Sequence, residues 1–257
     1  MSKNSIYRVQ SIERAFLILE EISRRKSGVR VTDLAANLSI PLPTVHRIVS
    51  FLEHKGYLEQ DPETKRYHLG LKILELQGLF INRFSLVDRA LPELKRIAYG
   101  LGETVHLGVL SDGYVVYIES LEGANSMISK ATIGSRAPVH STALGKVLLA
   151  WRSWSEVQDI LRTRGMEKDT PNTIDNEAAF RVELEEVREQ GYALDCNERS
   201  MVSHCVAVPI WNYRKEVEAA VSISVASHTF SPERKEVLVA YLQNVSQAVS
   251  LGQTAIG

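Results

Sequence analysis

The sequence predicts an α+β protein in two parts, a helical head followed by a larger body of mixed strands and helices. Three observations carry this. Residues 9–54 hold three runs with helical spacing of apolar side chains. Residues 57–69 read as two short strands around a turn. Beyond Thr104, strand and helix patterns follow one another with turn residues between them, which suits helices laid across a sheet. The 257 residues, 44% hydrophobic and 24% charged, have room for one large or two modest domains. That composition excludes disordered, collagen-like and low-complexity chains.

The first helix is read from Val9 to Ile22, with Val9, Ile12, Ala15, Phe16, Leu19 and Ile22 on its apolar face and Ser11 as its cap. Ser27-Gly28 stops it. Thr32 is expected to cap a short second helix carrying Leu34, Ala35 and Leu38. A turn at Ser39-Ile40-Pro41 leads into a third helix reaching His54, with Val45, Ile48, Val49 and Leu52 inward and Gly56 at its end. Two helices about a tight turn, the second exposing polar residues on its early turns, form a helix-turn-helix. Its second helix enters the DNA major groove N-terminal end first. Pro43, Thr44, His46 and Arg47 are the candidates for base edges, and Arg47 has the fork geometry to grip guanine. Tyr57–Gln60 and Arg66–Leu69 then make a hairpin, or wing, whose tip residues Lys65 and Arg66 suit phosphate, with Arg14 as a further phosphate contact.

Charge agrees with this reading. Residues 1–68 carry 11 Lys/Arg against 8 Asp/Glu, net +3, and the remainder carries 19 against 23, net −4. A basic head on an acidic body permits nucleic-acid binding by the head. No apolar run approaches the roughly 18 residues of a membrane span, and the first 16 residues lack the apolar core of a secretory signal. Two cysteines, Cys196 and Cys205, make no disulfide framework, so the default expectation is a cytoplasmic chain.

The domain boundaries are read as 1–68 for the head, 69–86 for a helical linker and 87–257 for the body. The connector is richer in apolar residues than a solvated linker needs. It either packs on its own chain or forms a dimer seam. A helix from about Leu86 to Gly100 contains Pro92, which implies a kink or restart. Strands are expected at Thr104–Leu110, Tyr114–Ser120, about Ser126–Ile133, Tyr192–Cys196, Cys205–Ile210 and Glu218–Val225. Helices are expected from Ser141-Thr142, at Ser155–Thr163, at Glu177–Gln190 and from Ser231-Pro232 to Leu251.

The chemistry of the body is sparse, with no phosphate-binding loop, zinc-protease, nucleophile-elbow or CxxC motif. The polar candidates are His140, Ser141, Thr142, Asp195, Glu198, Ser203, His204 and Cys205. The helix start at Ser141-Thr142 offers free N–H groups and a positive dipole end, a place for a carboxylate. An enzyme with Cys196 and Cys205 as a redox pair is one alternative. His204 adjoins Cys205, but strand neighbours point to opposite faces, so it is not expected to activate the thiol. A redox or metal sensor using His140, His204 and the two cysteines is another, although their spacing matches no compact zinc motif. No metal or cofactor is expected.

Several separated motifs, VQSIERAFLILE, VTDLAANLSIPLPTVHRIVSFLEHKGYLEQ, YHLGLKI, APVHSTALGKVLLA, GYALD, CVAVPIWN and AAVSIS, resemble the IclR family of bacterial transcription regulators over about residues 7–250. The resemblance implies a winged helix-turn-helix joined by a linker helix to a GAF-like effector-binding domain. It also implies a homodimer or dimer of dimers on operator DNA, and control of a catabolic operon, as a repressor in the first instance, by a small carboxylate. By position it places the effector at Ala143, Leu144, Asp195 and Cys205, with lining from Ala137, Ser203 and Val221. A sugar acid is the first expectation for the ligand and an aromatic acid the second. The chain departs from the family in four places. Leu144 is larger than the usual residue, Cys196-Asn197-Glu198 replaces a more acidic run, Val202 stands at a glycine position, and Tyr213-Arg214-Lys215 replaces a glycine turn. A narrower pocket and a different loop path are expected from these changes.

Overall fold

A computed structural model describes residues 9–25, 27–76, 85–124, 126–127 and 131–251. The chain divides into two compact units, Met1–Phe84 and Ser85–Gly257, so the break falls inside the segment read as linker. Among the described residues no helix is long and apolar enough to cross a membrane.

The first unit runs α1 (Gln10–Ser23), α2 (Val31–Leu38), α3 (Leu42–His54), β1 (Leu58–Gln60), β2 (Tyr67–Leu69) and a helix α4 whose described residues are 71–76. Its core is Ile18, Ile22, Val29, Val31, Leu34, Ile40, Val45, Val49, Leu52, Leu58 and Tyr67. Two expected caps are corrected. Val9, not Ser11, opens α1, its carbonyl accepting from Ile12 and Glu13, and Arg30, not Thr32, opens α2. The buried face of α1 also differs from the expected one. Ile18 and Ile22 go inward, while Ile12 and Phe16 stay more than half exposed. Ser39 takes φ +53, and its N–H closes the end of α2 before Pro41 starts α3, which makes the tight turn. β1 and β2 pair antiparallel with Leu58 opposite Leu69.

The second unit holds α5 (Ser85–Gly100), β3 (Thr104–Ser111), β4 (Tyr114–Leu121), β5 (Arg136–Ala137), α6 (Ala143–Ala150), α7 (Trp154–Arg164), α8 (Glu177–Gln190), β6 (Ala193–Cys196), β7 (Ser203–Trp211), β8 (Val217–Ala226) and α9 (Pro232–Leu251). Six antiparallel strands lie in the order β5-β4-β3-β8-β7-β6. Helices α6, α7 and α8 share a core with Val115, Ala137, Ala193, Ala207 and Ala220 on one face of this sheet.

The helix runs through Pro92 without a restart, from Ser85 to Gly100. One lost N–H bond is outweighed by burial of Leu86, Val87, Ala90, Leu94, Ile97 and Ala98 along the same helix. The strand expected at Ser126–Ile133 is also corrected. Its described residues are bend, turn or irregular, and the edge strand is Arg136–Ala137. Gly134, at φ +83, turns the chain there and donates to the Tyr117 carbonyl at 2.7 Å.

Two contacts shape the ground under α6. A Cβ on Gly145 would lie 2.2 Å from the Val139 carbonyl oxygen, so only glycine lets this backbone sit on that one. A Cβ on Gly108 would lie 3.2 Å from Leu144 Cδ1, so the missing side chain in β3 makes room for the large leucine in α6.

Candidate DNA-reading surface and effector cavity

Helix α3 buries Val45, Val49 and Leu52 and thereby turns the intervening residues outward. Pro43, His46 and Arg47 are exposed and Thr44 is half-buried. Thr44 and Arg47 also line a groove of about 840 Å³ between α1 and α3, where Arg14 joins them beside the apolar Ile12, Phe16 and Phe51. At the hairpin tip, Asp61 Oδ1 accepts from the Glu63 and Thr64 amides at 2.9 and 2.8 Å. These bonds hold the Asp61 carboxyl below its ordinary range. Lys65 is exposed at φ +56. Arg66 is not free at the tip, because its Nη1 donates to the Gly28 carbonyl at 3.0 Å and ties the hairpin to the α1–α2 connection.

In the second unit a cavity of about 180 Å³ lies between the sheet and the N-terminus of α6. It is lined by His106, Tyr117, Ala131, Thr142, Ala143, Leu144, Asp195, Arg199, Ser203, Cys205, Ser222 and Ser224. Strand register explains the polar floor. Asp195, Cys205, Ser224 and Thr104 form one cross-strand row, and Ser222, His106 and Ser120 form the next. Residues two apart on a strand share a face, so both rows face the same side.

At α6, Thr142 is the N-cap. Its Oγ1 accepts from the Gly145 amide at 3.2 Å and its carbonyl accepts from Lys146 at 3.1 Å. The Ala143 and Leu144 amides have no acceptor among the described residues, so two N–H groups meet the cavity at the positive helix end. Asp195 is buried, and burial raises its carboxyl to about 6, against the bonds its Oδ1 accepts from the Glu198 and Arg199 amides. Burial likewise pushes the Cys205 thiol far up and the Tyr117 hydroxyl to about 12. Cys205 is therefore a protonated thiol, 3.1 Å from Ser224 Oγ, and a poor nucleophile. Cys196 is exposed and sits opposite His204 in the register while Cys205 sits opposite Asp195. As adjacent-row residues they face opposite sides of the sheet and make no redox pair. His204 stacks on Phe230 and does not reach the thiol's face. Among the described residues no group of three His, Cys, Asp or Glu is placed to hold a metal ion.

The cavity gathers Thr142, Ala143, Leu144, Asp195, Ser203 and Cys205 from the expected set. Ala137, Ser141 and Val221 fall outside it. Ala137 pairs with Val115 inside the core, and Ser141 spends its hydroxyl on Asp169 at 3.0 Å. Val221 lies one residue from Ser222 and so points to the other face. His106, Tyr117, Ala131, Arg199, Ser222 and Ser224 were not anticipated. The loop after β6 bends at Asn197, φ +62, rather than at Val202. Asn197 Nδ2 donates to Ser200 O, Ser203 O and Ser227 Oγ, and Thr173 Oγ1 donates to Glu198 O at 2.6 Å. Beneath it, the buried Lys146 Nζ donates to Glu198 Oε1 at 2.6 Å, Glu183 Oε1 at 2.8 Å and Leu194 O at 2.8 Å. Lys215, at φ +61, supplies the left-handed residue in the turn between β7 and β8.

A three-helix head with a wing and a second unit with a polar cavity define a transcription regulator with a separate ligand-binding domain. Two family patterns match the chain, one described as the IclR helix-turn-helix domain over residues 11–62 and one as Bacterial transcriptional regulator IclR C-terminal over residues 79–251. The chain is 37% identical over 216 residues to the HTH-type transcriptional regulator XynR of Escherichia coli K12, covering 84% of this chain and 86% of that one. The Thermotoga maritima IclR structure superposes with a TM-score of 0.77 at 31% identity, over 96% of this chain and 99% of that one. An IclR homologue from Microbacterium hydrocarbonoxydans, solved with 4-hydroxybenzoate, has a TM-score of 0.85 at 24% identity, over 95% and 99% of the two chains, and shares the fold. This chain belongs to the IclR family of bacterial transcriptional regulators.

Proposed function

We propose that this regulator represses a catabolic operon and responds to a small carboxylic acid held in the cavity at the start of α6. The observation that carries the reading is the pair of acceptor-free amides at Ala143 and Leu144, facing a floor of hydroxyls, with Asp195, whose carboxyl burial raises to about 6, at the side. A carboxylate seats on the amides, and its remaining oxygens meet Ser203, Ser222 and Ser224. That polarity favours a hydroxylated acid such as a sugar acid. An aromatic acid is the second reading, supported by the 4-hydroxybenzoate complex of the Microbacterium homologue and by the Tyr117 ring in the wall. On DNA, Arg47, Thr44, His46 and Pro43 read base edges, while Lys65 and Arg14 meet phosphate and Arg66 holds the wing in place. The chain acts as a homodimer or a dimer of dimers, and the exposed Ile12, Phe16 and Phe51 supply apolar surface for that contact.

The effector must bind the DNA-competent and DNA-incompetent states with different affinity, since equal affinity shifts nothing. Fluorescence anisotropy on the DNA upstream of its own gene tests this, with sugar acids and aromatic acids added in turn. Release of sequence-selective binding by one acid supports the reading. Acids that bind the protein and leave DNA affinity unchanged overturn it.

A further inference from the structure

We infer that His106 is a specificity-determining residue of the cavity, donating its Nε2–H to an oxygen on the effector other than the carboxylate. This rests on the effector reading above. It goes further by naming a group the ligand must carry, a hydroxyl or carbonyl oxygen.

The tautomer follows from hydrogen-bond accounting. His106 stands in β3 with Ser120 opposite it on one side and Ser222 on the other. Its Nδ1 lies 2.8 Å from Ser120 Oγ. The same oxygen accepts from the Ala131 amide at 3.1 Å. Among the described residues the Ser120 hydroxyl proton has no other acceptor, so it points at Nδ1. Nδ1 is then the acceptor, and the ring proton sits on Nε2. Nε2 has no protein partner among the described residues, and it is not one of the polar atoms sealed from solvent. The ring itself is buried, and the open volume beside it is the cavity. Tyr117 packs edge-on against the ring at 5.3 Å and fixes its plane. Burial holds the imidazole neutral, down to about 4, while Asp195, Arg199, Tyr117 and Cys205 are the other ionisable groups around the cavity.

A neutral imidazole with its proton on Nε2 can only donate into the cavity. It rewards an oxygen acceptor and gives nothing to a methylene at the same place. A ligand without that oxygen leaves a desolvated N–H unpaired, which is the asymmetry that makes buried donors selective.

The experiment uses the full chain, with D-gluconate and hexanoate as six-carbon acids with and without hydroxyls. Calorimetry compares wild type with His106→Asn, which keeps a group at the Nδ1 position for Ser120 but loses the cavity donor. It also includes His106→Gln, whose amide nitrogen reaches the Nε2 position. Wild type is expected to favour gluconate. His106→Asn is expected to lose about tenfold for gluconate and leave hexanoate unchanged, and His106→Gln to recover most of the loss. Nitrogen-15 NMR of the labelled ring is expected to find the proton on Nε2 without ligand, which checks the geometry independently of binding. If acids bind wild type and His106→Asn binds gluconate equally well, or if the proton sits on Nδ1, the His106 assignment is overturned while the effector reading stands. If no carboxylic acid binds wild type, the effector reading itself fails and this assignment falls with it.

Discussion

The two units place their working groups in opposite ways. In the first, the polar residues of α3 stand outside an apolar core and make few bonds to the rest of the unit among the described residues. In the second, the polar groups lie inside, in cross-strand rows, and most are held by a neighbour: Cys205 by Ser224, Asp195 by the loop amides, His106 by Ser120. An external reader can be altered without disturbing the fold. An internal one shares its residues with the core, so function and stability are coupled there.

The strongest way to break that contrast is Lys146→Met. The ammonium is 1% exposed and holds Glu198, Glu183 and the Leu194 carbonyl, and Glu198 Oε2 has no partner among the described residues. Removing the cation leaves a buried carboxylate uncompensated, with an expected loss of about 3–5 kcal/mol in urea unfolding of the full chain. A loss under about 1 kcal/mol would mean that the inside of the cavity domain is as tolerant as the outside of the head.

Next is pH. Asp195 rises from 3.8 to about 6 on folding, mainly through burial. Between about pH 4 and 6 the folded chain therefore holds a proton that the unfolded chain releases, and stability falls as pH rises through that window. The full effect is on the order of 3 kcal/mol, at about 1.36 kcal/mol for each unit. Unfolding midpoints of Asp195→Asn are expected to lose this slope relative to wild type, and parallel profiles would contradict it.

Arg47→Ala sharpens the other side. Operator affinity is expected to drop by about 1–3 kcal/mol with relaxed choice at one base pair, as read by anisotropy on single-base operator variants. Its urea midpoint is expected to be unchanged, because Arg47 is exposed. The smallest effect is Lys65→Ala, which is expected to weaken every DNA sequence alike and to lower the salt slope by about 0.9. A sequence-dependent loss would place Lys65 on a base instead of a phosphate.

The head was largely legible because helical spacing separates inside from outside within a few residues, and Val45, Val49 and Leu52 mark the inward face without help from the rest of the chain. The body was legible only in part. Thr142, Ala143 and Leu144 are contiguous and announce themselves as a helix start. His106 and Ser222 come from distant segments, and only register brings them together, while Arg199 arrives on the loop after β6. The run Val221–Val225 did carry a signal, since Ser222 and Ser224 alternate with apolar residues in a buried strand, and a polar residue every second position there asks for a partner or a ligand. Val221 was misplaced for the same reason, a one-residue step being a change of face.

The contact between Gly145 and the Val139 backbone has a consequence for how such a receptor changes over generations. The α6 end of the cavity is made of main-chain amides held in place by backbone lying on backbone, so replacing side chains around it cannot easily abolish it. The opposite end is made of side chains from five strands and the loop that carries Arg199, each open to single substitutions. Substitution can therefore keep the handle and exchange the lock, retaining what the amides hold while the rest of the ligand changes.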